Sequence, residues 1–361
     1  MTSEPVMCVW GLGDETVGCE AGLGWRKEKE RRLKGKMMLR VGYPKGLAPD
    51  LLGLFPAGVE LVEVPSKPES PIAVDLWIPA PAPVLGQRTW PWMRGVKTVV
   101  TLMAGTEWLM PLVGPEVTVC NAAGAHNIST AEWTVTAVLG VLKYLPLYRD
   151  LQVAGDWKGR SEASRQYAAI HRDERLQFPP VLQEELHGKR VLLVGHGEIG
   201  KTIEGLLTAF GVELTRVART ARTEPVVVHA VSELDALLPE AEIVILILPH
   251  TPESDKLIGA KQLGLMRQGA LLVNAARGAI VDTDALVEAL NAGRIRAAVD
   301  VTDPEPLPEG HPLWKCPNLL LTPHVAGSTP EFSPRSVKIA AEQVGRLLRG
   351  EKLVNVVKAG V

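Results

Sequence analysis

Apolar residues recur along this chain with two different spacings. Short unbroken runs at 39–43, 59–64, 74–78, 96–102 and 117–120 carry no helical period and read as strands. A single helical pattern, around residues 50–55, is clear among them. Residues 129–145 then read as a strong helix, with Ser129 as its cap and Glu132 three positions on. Beyond it, 148–188 is polar and without a core pattern, and Pro179 and Pro180 lie in its later part. A stretch that long is expected to be an excursion with its own task, read here as dimer contact. Alternation then resumes, with strands at 190–194, 212–218, 242–248, 270–275, 297–301 and 319–322. Helical patterns at 232–238 and 282–290 stand between them, and a long amphipathic helix at 334–348 ends at Gly350. Strands that are apolar throughout and alternate with helices predict an α/β protein whose parallel sheets are covered on both faces.

One junction is more specific. The run 190–194 leads into Gly195-His196-Gly197-Glu198-Ile199-Gly200, and Ile203, Leu206, Leu207 and Phe210 then mark one face of a helix that Gly211 ends. Strand, G-x-G-x-x-G and helix in succession form a dinucleotide-binding pattern. Gly195 makes the tight turn, Gly197 admits the pyrophosphate to the backbone, and Gly200 allows close helix–strand packing. The phosphates then face the free amides and positive end of the helix. At the end of the next strand, where an acid would bind the ribose of NAD, stands Ala218, followed by Arg219, with Arg216 and Arg222 close by. Those arginines either form a solvated loop or grip a 2′-phosphate. The absence of an acid favours NADP(H), with NAD(H) the alternative.

Length and composition leave this picture intact. At 361 residues the chain has room for two domains, and 46% apolar and 22% charged residues are ordinary for a globular protein. A net charge of −2 gives no reason to expect nucleic acid or an anionic membrane as partner. No apolar run reaches the roughly 18 residues of a membrane-spanning helix. Cys8, Cys19, Cys120 and Cys316 are far apart with no C-x-x-C, so no metal site is expected and a reducing cytoplasm is. Residues 1–37 differ from the rest: Gly11-Leu12-Gly13 lacks the fingerprint spacing, and 26–36 is dense in charge. They read as an N-terminal extension, either a disordered tail or a misplaced start, and no function is assigned to them.

The candidate chemistry follows predicted strands. Arg277 follows 270–275, Glu305 comes after Asp300 and the strand at 297–301, and His324 follows 319–322. Reduction of a 2-keto acid builds negative charge on the carbonyl oxygen. Imidazole is suited to protonate it, and a neighbouring carboxylate favours the charged form and fixes its orientation. A guanidinium fork can hold the substrate carboxylate and polarise the carbonyl. Asp300 is a candidate partner for the nicotinamide carboxamide. The loop 103–107 ends the fourth strand of the first unit, and reads equally as an anion cradle or an ordinary turn. His126 lies near the hinge, where it could touch substrate.

The motifs GHGEIG, VNAARGAIVD, VDVTDPEPLPEGHPL and TPHVAGST, together with Leu248-Pro249-His250-Thr251-Pro252-Glu253 and the closing stretch 350–357, resemble the D-isomer-specific 2-hydroxyacid dehydrogenases over roughly residues 38–361. The resemblance implies two Rossmann-like doubly wound domains with a cleft between them. A cofactor domain (129–328) is then inserted into a flavodoxin-like substrate domain (38–128 and 329–361), and the protein is a homodimer. It implies that Arg277, Glu305 and His324 are catalytic, and that the amides of Ala104 and Gly105 join Arg277 on the substrate carboxylate. It implies a cofactor site formed by Gly195, Gly197, Glu198, Ile199, Gly200, Arg219, Arg222, Pro249, Ala275, Ala276, Asp300, His324 and Gly327. The Pro-Glu-Pro-Leu-Pro run is most similar to glyoxylate/hydroxypyruvate reductases. Two departures matter: no acid stands at position 218, and Glu305 stands where formate dehydrogenases have Gln. The expected function is therefore NADPH-dependent reduction of a small 2-keto acid. The rival is a dinucleotide-sensing, corepressor-like binding protein, which turnover would distinguish.

Overall fold

A computed structural model of the protein describes residues 38–360, so the expectation for 1–37 lies outside the described residues. Two twisted sheets organise the chain. The first holds β1 (Leu39–Pro44), β2 (Val59–Val64), β3 (Leu76–Trp77), β4 (Thr98–Val100) and β5 (Thr118–Cys120) in parallel. The second holds β6 (Arg190–Val194), β7 (Glu213–Ala218), β8 (His229–Ala230), β9 (Ile243–Leu246), β10 (Leu271–Asn274), β11 (Arg296–Val299) and β12 (Leu319–Leu321), also in parallel. Its strand order is β8-β7-β6-β9-β10-β11-β12, so the winding direction reverses between β6 and β9. In open α/β sheets the carboxyl ends beside such a reversal are where ligands bind. Strands β9, β10 and β11 are buried at every position, which is why they appear in the sequence as apolar runs, broken only by Asn274 at the end of β10 and the ion-paired Arg296 at the start of β11.

Helix α1 (Asn127–Leu142) carries the chain from the first sheet to the second. It packs Ala131, Val135, Val138 and Leu142 against Ile203 and Leu207 of the helix that follows the glycine turn. It begins two residues earlier than the pattern predicts. Ser129 lies inside the first turn, its hydroxyl donating to the His126 carbonyl at 3.2 Å, and so does not cap the helix. The excursion is not irregular either: it contains α2 (Leu145–Ala154) and α3 (Glu162–His171). A buried ion pair, Arg296 Nη1 to Glu184 Oε1 at 2.5 Å, fastens its far end to β11. The segment 232–238 is a short α-turn flanked by 3₁₀ turns, and the two-residue β8 makes the second sheet seven-stranded where six strands are expected. In the first unit the pattern at 50–55 is a four-residue helix (Pro49–Leu52), and a helix at Pro83–Thr89 had no clear signal.

The closing helix, α6 (Phe332–Arg349), returns to the first sheet, with α4 (Glu198–Ala209) and α5 (Thr283–Asn291) lying between in the chain. It lays Val337, Ala340, Ala341 and Val344 on Val41, Leu76 and Val100, the i, i+3, i+4, i+7 stripe of one helical face. After Gly350, which ends it in the left-handed conformation, β13 (Val356–Lys358) adds to β5 as an antiparallel edge. The first and last strands of the described residues therefore lie in the first sheet, and the second sheet is formed from the intervening chain.

Candidate active site

The glycine turn is fitted to its neighbours. Gly195 has φ +112°, and a Cβ there would meet the Ile247 carbonyl oxygen at 2.1 Å. At Gly200 a Cβ would meet the Gly195 carbonyl oxygen at 2.3 Å, while at Gly197 nothing lies within 4 Å. The first and third glycines thus permit close packing, and the second leaves open space above the turn. Gly197 caps α4 without a side-chain partner, so the amides of its first turn are left for an outside acceptor. Open space above unpaired amides at a helix N-terminus fits a pyrophosphate. Glu198 keeps its carboxylate on Lys201 at 2.8 Å. Gly195→Ala is expected to destabilise the chain by about 2–4 kcal/mol, since both the backbone conformation and the contact at Ile247 oppose a methyl group. Thermal unfolding measures it, and an unchanged midpoint would show that the turn can shift at little cost.

Beside this turn the three arginines separate. Arg216 is held by Glu204 on α4, Nε to Oε1 at 2.8 Å, and so is not available to a phosphate. Burial would raise the Glu204 pKa, but hydrogen bonds from Arg216 and His196 outweigh it and hold the carboxyl below its ordinary range. Arg222 reaches across the turn to donate to Nδ1 of His196, whose Nε2 faces Glu204. Arg219 is exposed and lies close enough to Glu253 to lower its pKa further, after a larger effect from the Thr251 hydrogen bond. Pro249 accepts a hydrogen bond from Ser254 in the adjoining loop.

Between the two sheets lies a cleft of about 770 Å³. It brings together Ala104 and Gly105 from the first unit with Ile199, Ala275, Ala276, Arg277, Asp300, Glu305, His324 and Gly327 from the second. Gly195, Gly197, Glu198, Gly200, Arg219, Arg222 and Pro249 do not line it and belong to the adjoining turn and loops. Glu305 Oε1 lies 2.5 Å from His324 Nδ1, which leaves Nε2 as the nitrogen free for a ligand. His324 has φ +54°, an uncommon conformation for a side-chain-bearing residue, and its amide donates to the Asp300 carbonyl at 2.7 Å. The buried Asp300 carboxylate accepts from Thr322 Oγ1 at 2.5 Å and from the amides of Val325 and Ala326 at 2.9 and 2.8 Å. Its first task is thus to hold the turn that presents His324, with one lone pair of Oδ2 left for another donor.

Arg277 is positioned from behind by Asn274, which is 1% exposed and bonds both the Ala276 amide and the Arg277 carbonyl. A Cβ at Gly278 would meet the Thr302 carbonyl carbon at 2.0 Å, so glycine lets this loop press against the one that carries Glu305. The guanidinium bonds the Ala276 carbonyl through Nη1 and approaches Glu107 at 3.5 Å through Nε. Among the described residues the amides of Ala104 and Gly105 donate to no protein group, whereas their loop is fixed by Asn121 Nδ2 on the Ala104 carbonyl at 2.7 Å. These features favour the anion-cradle reading of the loop over an ordinary turn.

His126, expected near the hinge within reach of substrate, lines the cleft together with Glu107 and Trp108, to whose side chains the sequence gives no role. His126 stacks on Phe332 with centroids 4.4 Å apart and bonds the Gly327 carbonyl, joining α1 to the segment before α6. Burial chiefly, then the charges of Arg277 and His324, lower its pKa against the opposing effect of the Gly327 bond, so it is uncharged at neutral pH. The signal for Glu107 and Trp108 was their place directly after the cradle.

Comparison with known proteins bears on the family and the fold. A family model for the NAD-binding domain of D-isomer-specific 2-hydroxyacid dehydrogenases matches residues 135–326. The glyoxylate reductase of Thermofilum pendens is 41% identical over 171 residues, 46% of this chain and 50% of that protein. The D-3-phosphoglycerate dehydrogenase of Methanocaldococcus jannaschii is 34% identical over 245 residues, 67% of this chain and 43% of that protein. The matches thus span about half the length of these two relatives. Among solved structures, a D-isomer-specific 2-hydroxyacid dehydrogenase from Xanthobacter autotrophicus in complex with NADPH superposes with a TM-score of 0.67 at 26% identity, covering 88% of this chain and 98% of that one.

Proposed function

Because the chain belongs to the D-isomer-specific 2-hydroxyacid dehydrogenase family, we propose that it reduces a small 2-keto acid, of the size of glyoxylate or hydroxypyruvate, with NADPH. The observation that carries this reading is the meeting of Arg277, the His324–Glu305 pair and the free amides of Ala104 and Gly105 in one cleft beside an unpaired helix N-terminus. When bound, the reduced nicotinamide supplies a hydride. The chain's own residues do the rest. The amides of Ala104 and Gly105 and the Arg277 fork hold the substrate carboxylate, and Arg277 polarises the carbonyl. His324 delivers a proton from Nε2 to the oxygen, and Glu305 stabilises the imidazolium and fixes its ring. Asp300 would hold the carboxamide, and Ile199, Ala275, Ala276 and Gly327, which line the cleft, would receive the ring.

Gly195, Gly197, Glu198 and Gly200 take the pyrophosphate, and Arg219 and Arg222, with the loop at Pro249, take the adenosine end. The reading includes a cofactor domain at 129–328 inserted into a substrate domain at 38–128 and 329–361, in a cytoplasmic homodimer. Exposed Val153, Trp157 and Phe178 on the excursion support self-association.

Loss of NADPH absorbance against a panel of 2-keto acids tests the reading, and a panel without turnover removes it. In the same assay, replacing Arg219 and Arg222 by Ala is expected to raise the KM for NADPH about tenfold or more, with little change for NADH. Equal effects on both cofactors would assign the two arginines to the solvent.

A further inference from the structure

The carboxylate of Glu107 occupies the substrate end of the cleft, and the mechanism above gives it no task. Its Oε1 lies 3.5 Å from Arg277 Nε. A Cβ placed on Gly105 would meet Arg277 Nη2 at 2.3 Å and Glu107 Oε2 at 2.8 Å. Guanidinium, cradle backbone and a protein carboxylate therefore share the small volume in which a substrate carboxylate is to bind. The contact is loose, and the Glu107 side chain is 48% exposed, so it can turn away.

The charges around this point are one-sided. Arg277 is the only lysine or arginine lining the cleft among the described residues, against the carboxylates of Glu107, Asp300, Asp303 and Glu305. Asp300 is engaged by three donors and Glu305 by His324, whereas Glu107 faces Arg277, the cation that is to bind the substrate. His126 adds no charge at neutral pH, and His250 is turned to Asp255 at 2.9 Å. Pro83, Met103 and Trp108 form an apolar part of the wall, and the Trp108 indole nitrogen is buried without a partner, a neutral donor suited to a hydroxyl oxygen.

We infer that Glu107 makes this site selective for 2-keto acids with a single negative charge and against those carrying a second carboxylate or a phosphate. The inference rests on the reductase reading above. A monoanion takes the place of Glu107 on Arg277, and the displaced, half-exposed carboxylate turns to solvent. A dianion brings a further charge next to Glu107, where the cleft offers no second lysine or arginine among the described residues and the His324 ring is already paired with Glu305, and selectivity by an unpaired like charge follows. Phosphorylated substrates, such as a phosphoglycerate dehydrogenase takes, are excluded on the same ground.

The test compares kcat/KM, with saturating NADPH, for glyoxylate and hydroxypyruvate against oxaloacetate and 3-phosphohydroxypyruvate. The native chain should favour the monoanions by about a hundredfold or more. Glu107→Gln should narrow that ratio by about tenfold or more, and Glu107→Asp should keep most of it. Inhibition by oxamate against tartronate, a monoanion against a dianion, makes the same comparison on the native chain. Oxaloacetate reduced as well as glyoxylate, or a ratio unmoved by Glu107→Gln, overturns the inference and leaves the reductase reading standing. A panel in which no keto acid is reduced removes both.

Discussion

His324→Asn is expected to lower kcat for keto-acid reduction by about a hundredfold to ten-thousandfold, the contribution of a positioned general acid. The substitution is chosen from the backbone. His324 sits at φ +54°, and asparagine is among the few residues that accept this region readily. The turn is otherwise held by main-chain bonds that asparagine retains, its own amide on the Asp300 carbonyl and the amides of Val325 and Ala326 on the Asp300 carboxylate. What the variant loses is the ring nitrogen that faces the cleft. The carboxamide of asparagine cannot release a proton near neutral pH, so the charge developing on the substrate oxygen goes unneutralised. Glu305→Gln keeps a hydrogen-bonding group 2.5 Å from Nδ1 but removes its charge, and a smaller fall of about tenfold to a hundredfold is expected. Single-turnover rates beside an independent NADPH dissociation constant separate the chemical step from binding. A His324→Asn rate within about threefold of the native one would assign the proton to another group.

The same anchoring explains how much the sequence disclosed. Parallel sheets buried on both faces require mainly apolar strands, so β9, β10 and β11 are legible in the sequence although β10 ends at Asn274 and β11 begins at Arg296. Catalytic candidates beyond the carboxyl ends of β10, β11 and β12 were legible for the same topological reason, and the cleft brings Arg277, Glu305 and His324 together. Elements that bury little were lost. Helix α2 buries none of its residues, and β13 exposes two of its three, so neither has a pattern for periodicity to detect. Strand β8 is two residues long, below what a pattern can register. The misplaced cap at Ser129 has a different cause: its hydroxyl bonds a carbonyl within the first turn, a local alternative that a serine offers wherever it stands. Glu107 escaped notice because its meaning depends on Arg277, 170 positions further along and placed beside it only by the folded cleft.

That juxtaposition shapes the second large effect. Arg277→Gln is expected to lower kcat/KM for glyoxylate by about a thousandfold, because one side chain both binds the carboxylate and polarises the carbonyl. Arg277→Lys should recover only part of this, since an ammonium restores the charge without the planar fork that spans two oxygens. Glu107 makes the loss steeper than that of an isolated arginine. With the guanidinium gone, its carboxylate faces an incoming anion unopposed, so KM should rise together with the fall in kcat. Removing both charges in Arg277→Gln/Glu107→Gln should therefore recover about tenfold of the lost kcat/KM, mostly through KM, a non-additive result that two independent sites would not give. Steady-state kinetics on the four chains of this cycle measure the coupling. If the double variant is as impaired as the two single losses multiplied together, Glu107 and Arg277 act separately and the shared-volume account fails.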